Sequence, residues 1–209
     1  SGVVPMVRVP WREPGIIMKA LDAGAYGIIC PMVNTAEQAA ELVDAMRYPP
    51  LGNRSFGPTR ANISAGPGYA AEANGEILAI AMIETAEAVE NVEAICATPG
   101  LDGIYIGPAD LTLGVTQGRL APGFDREEEE MVAVIRRVLA AAKGAGLSAG
   151  IHTGTPAYAT KAIGWGFDFT TISGDARLLA AAAGASVSEA RRLIGAGDGP
   201  APVDAKGGY

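Results

Sequence analysis

"ILAIAMIETAEAVENV", residues 77–92, is the stretch on which the reading of this chain turns. Its first half is a short apolar run without helical spacing, the pattern of a strand covered on both faces. Its second half changes to helical spacing. Glu84 stands at the junction, straight after "AIAMI" and just before Thr85, a residue type that caps helices. A lone carboxylate there is either a helix-start device or half of a site at the strand end, and the ends of the other strands decide which.

The same switch from apolar run to helical periodicity recurs along the chain. Strands are expected over 3–9, 26–32, 77–83, 103–107, 147–152 and 167–173, with helices near 14–23, 35–46, 86–96, 126–143, 156–164, 175–182 and 187–194. Repeated β-then-α units predict a parallel sheet covered by helices, either an open doubly wound sheet or a closed eight-stranded barrel. The helix over 126–143 reads as capped by Asp125, with the acidic run 127–130 at its positive end, and Met131, Val132, Ile135, Val138, Leu139 and Ala142 forming its buried stripe. Two segments break the rhythm. Residues 47–69 form a Pro- and Gly-rich stretch carrying Arg47, Arg54 and Arg60, expected to be a functional or mobile loop. The Gly-, Pro- and Ala-rich tail, 196–209, follows a single domain over 1–195 and is expected to be flexible or an arm laid on a neighbour.

Composition narrows the function. Of 209 residues, 49% are hydrophobic, enough for a large core without disulfides. A net charge of −7 argues against nucleic-acid and anionic-membrane partners. Cys30 and Cys96 have no metal-type spacing and read as reduced thiols. No apolar run approaches the ~20 residues of a membrane span, and the start lacks a signal-peptide pattern, so a cytoplasmic protein is expected.

In parallel sheets, chemistry collects at the carboxyl ends of the strands. Here those positions hold Arg8, Cys30, Glu84, Asp110, His152 and Ser173. Glu84 and Asp110 follow consecutive strands, and neighbouring parallel strands lie roughly 4.8 Å apart, so both carboxylates can reach one ion. Two carboxylates, completed by water and substrate oxygens, suit Mg²⁺ or Mn²⁺ better than zinc. Arg8 at the same mouth can hold a substrate carboxylate or keto oxygen and stabilise an enolate. Lys19, Lys143 and Lys161 fall in helices and Lys206 in the tail, so no lysine stands where a Schiff base would form. His152, the only histidine, is a candidate base or simply a hydrogen-bonded strand-end residue. Met82 points to the same side as Glu84 and makes part of the pocket floor apolar.

"VRVP", "RYPPLGNRSFGP", "AMIETAEAVENVEAI" and "GLDGIYIGPADLTLG" together resemble the HpcH/HpaI aldolase family, metal-dependent pyruvate aldolases, over most of residues 3–180. The resemblance implies a (β/α)₈ TIM barrel and a divalent metal, Mg²⁺, Mn²⁺ or Co²⁺, held by Glu84 and Asp110. It further implies that Arg8 holds pyruvate and its enolate, and that Met82, Gly107, Pro108 and Ala109 line the substrate. A small-molecule oxoacid and an aldehyde would be the substrates, in a homo-oligomer, a hexamer or trimer of dimers, with a C-terminal helix exchanged between partners. Two departures stand out. The family's opening strands, with an Asp-x-Glu-His stretch supplying the base, have no counterpart, so a preceding piece of about 40–60 residues is expected, judged against a barrel of ~250 residues. Met82 stands where many members have glutamine. The expected reaction is reversible cleavage of 4-hydroxy-2-oxoacids to pyruvate and an aldehyde; the rivals are a citrate lyase beta-like acyl-CoA lyase, gripping phosphates with the 47–60 arginines, and a non-catalytic barrel module.

Overall fold

The structure, a computed structural model, describes residues 2–195. The tail expected over 196–209 lies outside the described residues. In chain order the elements are β1 (Met6–Arg8), α1 (Pro14–Asp22), β2 (Gly27–Cys30), α2 (Ala36–Met46), α3 (Thr59–Ala65), α4 (Tyr69–Glu76), β3 (Leu78–Ile83), α5 (Ala86–Glu90), α6 (Val92–Cys96), β4 (Gly103–Ile106), α7 (Pro108–Thr116), α8 (Glu129–Gly144), β5 (Ser148–Thr153), α9 (Pro156–Trp165), β6 (Phe169–Ile172) and α10 (Asp175–Leu193). All six strands pair in parallel and in sequence order, β1-β2-β3-β4-β5-β6. They form a half-barrel. Of the eight strands of a closed barrel, the described residues supply six, with β1 and β6 at the two edges.

Side-chain alternation along each strand sorts the chain into two cores. Ile28 and Cys30 of β2, Ala79, Ala81 and Ile83 of β3, Ile104 and Ile106 of β4, and Ala149 and Ile151 of β5 point outward into the large core beneath the helices. Ile29, Ile80, Met82 and Tyr105 point inward, with Phe169 packed on them. Gly150 belongs to this inner layer for a steric reason: a Cβ there would lie 2.3 Å from the Phe169 ring. The buried stripe of α8 is Met131, Ile135, Val138, Leu139 and Ala142; Val132, also expected in it, is only half-buried.

Several local expectations need correction. Asp125 does not cap α8, which begins four residues later behind Glu128; its carboxylate instead accepts from the Gly154 amide and the Thr155 hydroxyl, both at 2.7 Å, tying the segment before α8 to the end of β5. The 47–69 stretch is not a plain loop, since α3 and the start of α4 fall inside it. Nor are two of its arginines free to grip a phosphate. Arg47, 4% exposed, donates to Asp102 at 2.6 Å and to the carbonyls of Ile77 and Gly100, and Arg54, 2% exposed, donates to Asp22 at 2.7 Å. Both bind the chain to itself. The two helices expected over 175–182 and 187–194 are one continuous α10.

Candidate active site

The inward-facing residues continue past the strand ends and line one cavity of about 440 Å³. Arg8 keeps the parity of Met6, Glu84 that of Ile80 and Met82, Gly107 that of Tyr105, and Thr171 and Ser173 that of Phe169; His152 joins them from β5. Asp110, Pro108 and Ala109 reach the same cavity from the first turn of α7. Arg8, Met82, Glu84, Gly107, Pro108, Ala109, Asp110, His152 and Ser173, all singled out in the sequence, line this space. Cys30, the other strand-end candidate, does not. Its parity is opposite, it sits in the outer core, and burial pushes its thiol up to about 12.

Glu84 is the most constrained of these groups. It is 2% exposed, and its Oε1 accepts from the Met32 amide at 2.8 Å. Met32 follows β2 with φ 55°, a left-handed conformation that a non-glycine residue rarely adopts. Thr85 caps α5 by accepting from the Ala88 amide at 3.0 Å, and its hydroxyl donates to Asn34 at 2.6 Å, which fixes the turn after β2 against the turn after β3. Thus Thr85, not Glu84, serves the helix start. The second carboxylate oxygen, Oε2, is buried and has no hydrogen-bond partner among the described residues. Burial raises the Glu84 pKa, the Met32 amide opposes this, the negative charge of Asp110 adds to it, and Arg8 offsets it. Gly107 gives Oε2 its room, because a Cβ at 107 would lie 2.6 Å from it.

A buried carboxylate oxygen without a partner among the described residues, in a cavity that a second carboxylate also lines, suits a hard cation. Among the described residues no three His, Cys, Asp or Glu side chains gather into a cage. Glu84 and Asp110 could thus hold a divalent ion only with open positions left for water and substrate oxygens, and that composition fits Mg²⁺ or Mn²⁺. Arg8, exposed on the edge strand, adds a cation to the same mouth.

The remaining wall combines apolar and hydroxylated side chains. His152 Nδ1 lies 2.6 Å from the Thr171 hydroxyl and 3.3 Å from that of Tyr105, and its ring meets Phe124 edge-on at 4.4 Å. Burial, helped by Arg177, lowers the His152 pKa, while Asp125 opposes the shift, so the ring is neutral at neutral pH. Tyr105, Phe169 and Thr171 were accessible to sequence reasoning through their strand parity. Phe124 was not, because it comes from the irregular segment before α8. A larger space of about 560 Å³ adjoins this cavity at Phe124, but its charged groups are already engaged: Arg126 pairs with Glu128, and Asp125 holds Gly154 and Thr155.

A model of the HpcH/HpaI aldolase/citrate lyase family matches residues 1–182. The chain belongs to that family. Among similar proteins, a hydroxypyruvate/pyruvate aldolase of Rhizorhabdus wittichii is 45% identical over 193 residues, covering 92% of this chain and 76% of the relative. A 5-keto-4-deoxy-D-glucarate aldolase of Salmonella paratyphi C is 39% identical over 84% of this chain and 67% of its own length. The crystal structure of an HpcH/HpaI aldolase/citrate lyase family protein from Burkholderia cenocepacia superposes with a TM-score of 0.79 at 34% identity, over 90% of this chain and 74% of that one. Aldolase chemistry is therefore the family context in which the cavity of this HpcH/HpaI member is to be read. None of its described helices is long and apolar enough to cross a membrane.

Proposed function

We propose that this protein is a divalent-metal-dependent aldolase that reversibly cleaves 4-hydroxy-2-oxoacids into pyruvate and an aldehyde. The observation that carries the reading is Glu84 Oε2, buried and without a partner among the described residues, in a cavity shared with Asp110 and Arg8. Burying a carboxylate oxygen without a partner costs about 1–3 kcal/mol or more, a cost that a bound cation would offset. The similar aldolases, named for pyruvate and keto-deoxy sugar acids, support the same chemistry.

Glu84 and Asp110 would hold the ion, leaving positions open. An ion there supplies Lewis acidity, which lowers the cost of negative charge on the 2-oxo oxygen of the substrate. Arg8 binds the substrate carboxylate through its planar fork and stabilises the same developing charge. Met82, Pro108 and Ala109 pack on the three-carbon half and keep water from it. In the cleavage direction the C3–C4 bond breaks, its electron pair passes into the enolate, the 4-hydroxyl proton leaves to a base, and C4 becomes the aldehyde carbon. Protonation at C3 then gives pyruvate. His152 faces this cavity as a neutral imidazole, available as that base or as a hydrogen-bonding partner of the aldehyde half.

The proposal extends to the whole architecture. The free edges of β1 and β6 support a barrel completed to eight strands, and an α10 with no buried side chain supports a homo-oligomer. A pyruvate-release assay over a panel of 4-hydroxy-2-oxoacids, with Mg²⁺ or Mn²⁺ and then with chelator, tests the activity. Release that stops with chelator, and in Glu84→Gln and Asp110→Asn, is the expected result. Full activity in the metal-stripped double variant refutes the mechanism.

A further inference from the structure

Glu84 owes its Oε1 contact to a turn whose residues do not line the cavity. The turn leaves β2 as Pro31-Met32-Val33-Asn34, and Asn34 is tied to three other residues. Its amide donates to Gln38 Oε1 at 2.7 Å, its side-chain oxygen accepts from the Thr85 hydroxyl at 2.6 Å, and its carbonyl accepts from the Asn91 side-chain amide at 2.9 Å. Thr85 follows Glu84 directly, and Asn91 lies between α5 and α6. The bonds from Thr85 and Asn91 span 51 and 57 residues, so they join the turn to the segment that carries Glu84. Between Asn34 and Met32 stands Val33, fully buried in the outer core.

Met32 is the residue that this anchoring holds. At φ 55° it sits in the left-handed region, where a side chain crowds the backbone, and a methionine stays there only when its surroundings impose it. The conformation supplies the direction of one N–H, and that N–H goes to Glu84 Oε1 at 2.8 Å. Released, Met32 would relax toward negative φ and carry its N–H away, leaving the carboxylate free to turn. We propose that Asn34 is a positioning residue for the metal site: by holding the Met32 amide on Oε1, it fixes Glu84 with Oε2 left for the cavity shared with Asp110. The inference rests on the proposed function for what Oε2 meets, a divalent cation. Asn34 acts on it only through Thr85 and Met32. Groups that orient a ligand in this way typically account for about 10–100-fold in metal affinity.

Mn²⁺ binding to the full chain, followed by calorimetry without substrate, tests the assignment. Asn34→Leu keeps the bulk and removes the acceptor, and should weaken Mn²⁺ about tenfold or more; Asn34→Asp keeps an acceptor for Thr85 and should bind at most about threefold more weakly than wild type. Met32→Gly separates positioning from packing, because glycine takes φ 55° without steric cost. In that background the penalty of Asn34→Leu should shrink to about threefold or less, the coupling expected if Asn34 works by holding Met32. Should Asn34→Leu fail to fold, Asn91→Ala, which cuts the bond to the Asn34 carbonyl, takes its place in the cycle and should cost about threefold alone and nothing beside Met32→Gly. Wild-type Mn²⁺ affinity in the Asn34→Leu protein or its substitute, equal losses in Asn34→Leu and Asn34→Asp, or a penalty that Met32→Gly leaves unchanged overturns the assignment. The expected pattern in a protein that cleaves no 4-hydroxy-2-oxoacid refutes the aldolase reading and leaves Asn34 in its role. Metal-dependent cleavage with Mn²⁺ affinity unaltered in the variants does the reverse, and a wild type that binds no Mn²⁺ overturns both.

Discussion

At the scale of single residues, Glu84 holds the conflict between stability and function. Its folded-state pKa is raised, first by burial, so the folded metal-free protein binds its proton more tightly than the unfolded chain does. The sign follows: the metal-free fold loses stability as pH rises from the ordinary glutamate value through the raised one, and the loss is complete above it. Glu84→Gln removes the charge and the loss with it. In chelator, the variant should therefore melt above the wild type at pH 8, with the gap closing toward pH 4. Excess Mg²⁺ or Mn²⁺ should reverse the order at pH 8, since a ligand held at 100 times its Kd adds about 2.7 kcal/mol only to the protein that binds it. A wild type that outmelts the variant in chelator at pH 8 would show that the carboxylate is satisfied from within the chain. Sequence alone made Glu84 and Asp110 legible because they follow two consecutive apolar runs. It did not reveal the Met32 amide that fixes Oε1, since that contact spans 52 residues and depends on a left-handed turn at a methionine, a residue type that gives no turn signal.

At the scale of elements, the junction between β4 and α7 shows how a strand and a helix start make one site. Gly107 has φ −97°, which any residue tolerates, so its need for glycine is spatial rather than conformational. An added Cβ would meet Glu84 Oε2 at 2.6 Å and Met82 Cε at 2.9 Å, both ends of side chains. Gly107→Ala should consequently keep the native circular dichroism and displace Glu84. A displacement near 1 Å predicts a loss of about 100-fold in kcat/KM, together with the metal-induced rise in Tm. Unaltered kinetics would mean that the cavity has slack where none is drawn. A second junction supports stability. Asp102 receives Arg47 from the end of α2 and the Ala79 amide of β3, both within 2.7 Å. Asp102→Ala would leave the Arg47 guanidinium buried without its counter-charge, costing about 2–3 kcal/mol once the partial exposure of Asp102 is allowed for. Urea denaturation should show that loss, and a change below 0.5 kcal/mol would reduce the pair to ornament. These elements were legible where apolar period and cap agreed, as at β3, Thr85 and α5. They were not where pairing is remote: nothing local says that Arg47 and Arg54 turn inward, and Asp125 has the composition of a cap while bonding instead to the end of β5.

At the scale of the whole molecule, α10 is the element that the other described residues leave uncovered. It runs for 19 residues without one buried side chain, and Leu178 and Leu179 are 60% and 72% exposed. A helix of this length gains little from propensity alone and owes its stability to an apolar face packed on something. Its first turn does touch the site: Arg177 lies over the Phe124 ring at 5.6 Å, and Phe124 meets His152. We propose that a second copy covers the remainder, in the manner of the helix exchange that the family resemblance implies. The whole chain is accordingly expected to run as an oligomer in light scattering, and Leu178→Glu with Leu179→Glu to move it toward the monomer mass. Since α10 begins beside the cavity, dissociation should also lower kcat/KM on every aldehyde alike. A wild type already monomeric at micromolar concentration, or a double variant of unchanged mass, would separate α10 from assembly and leave Arg177 as a tie to the cavity.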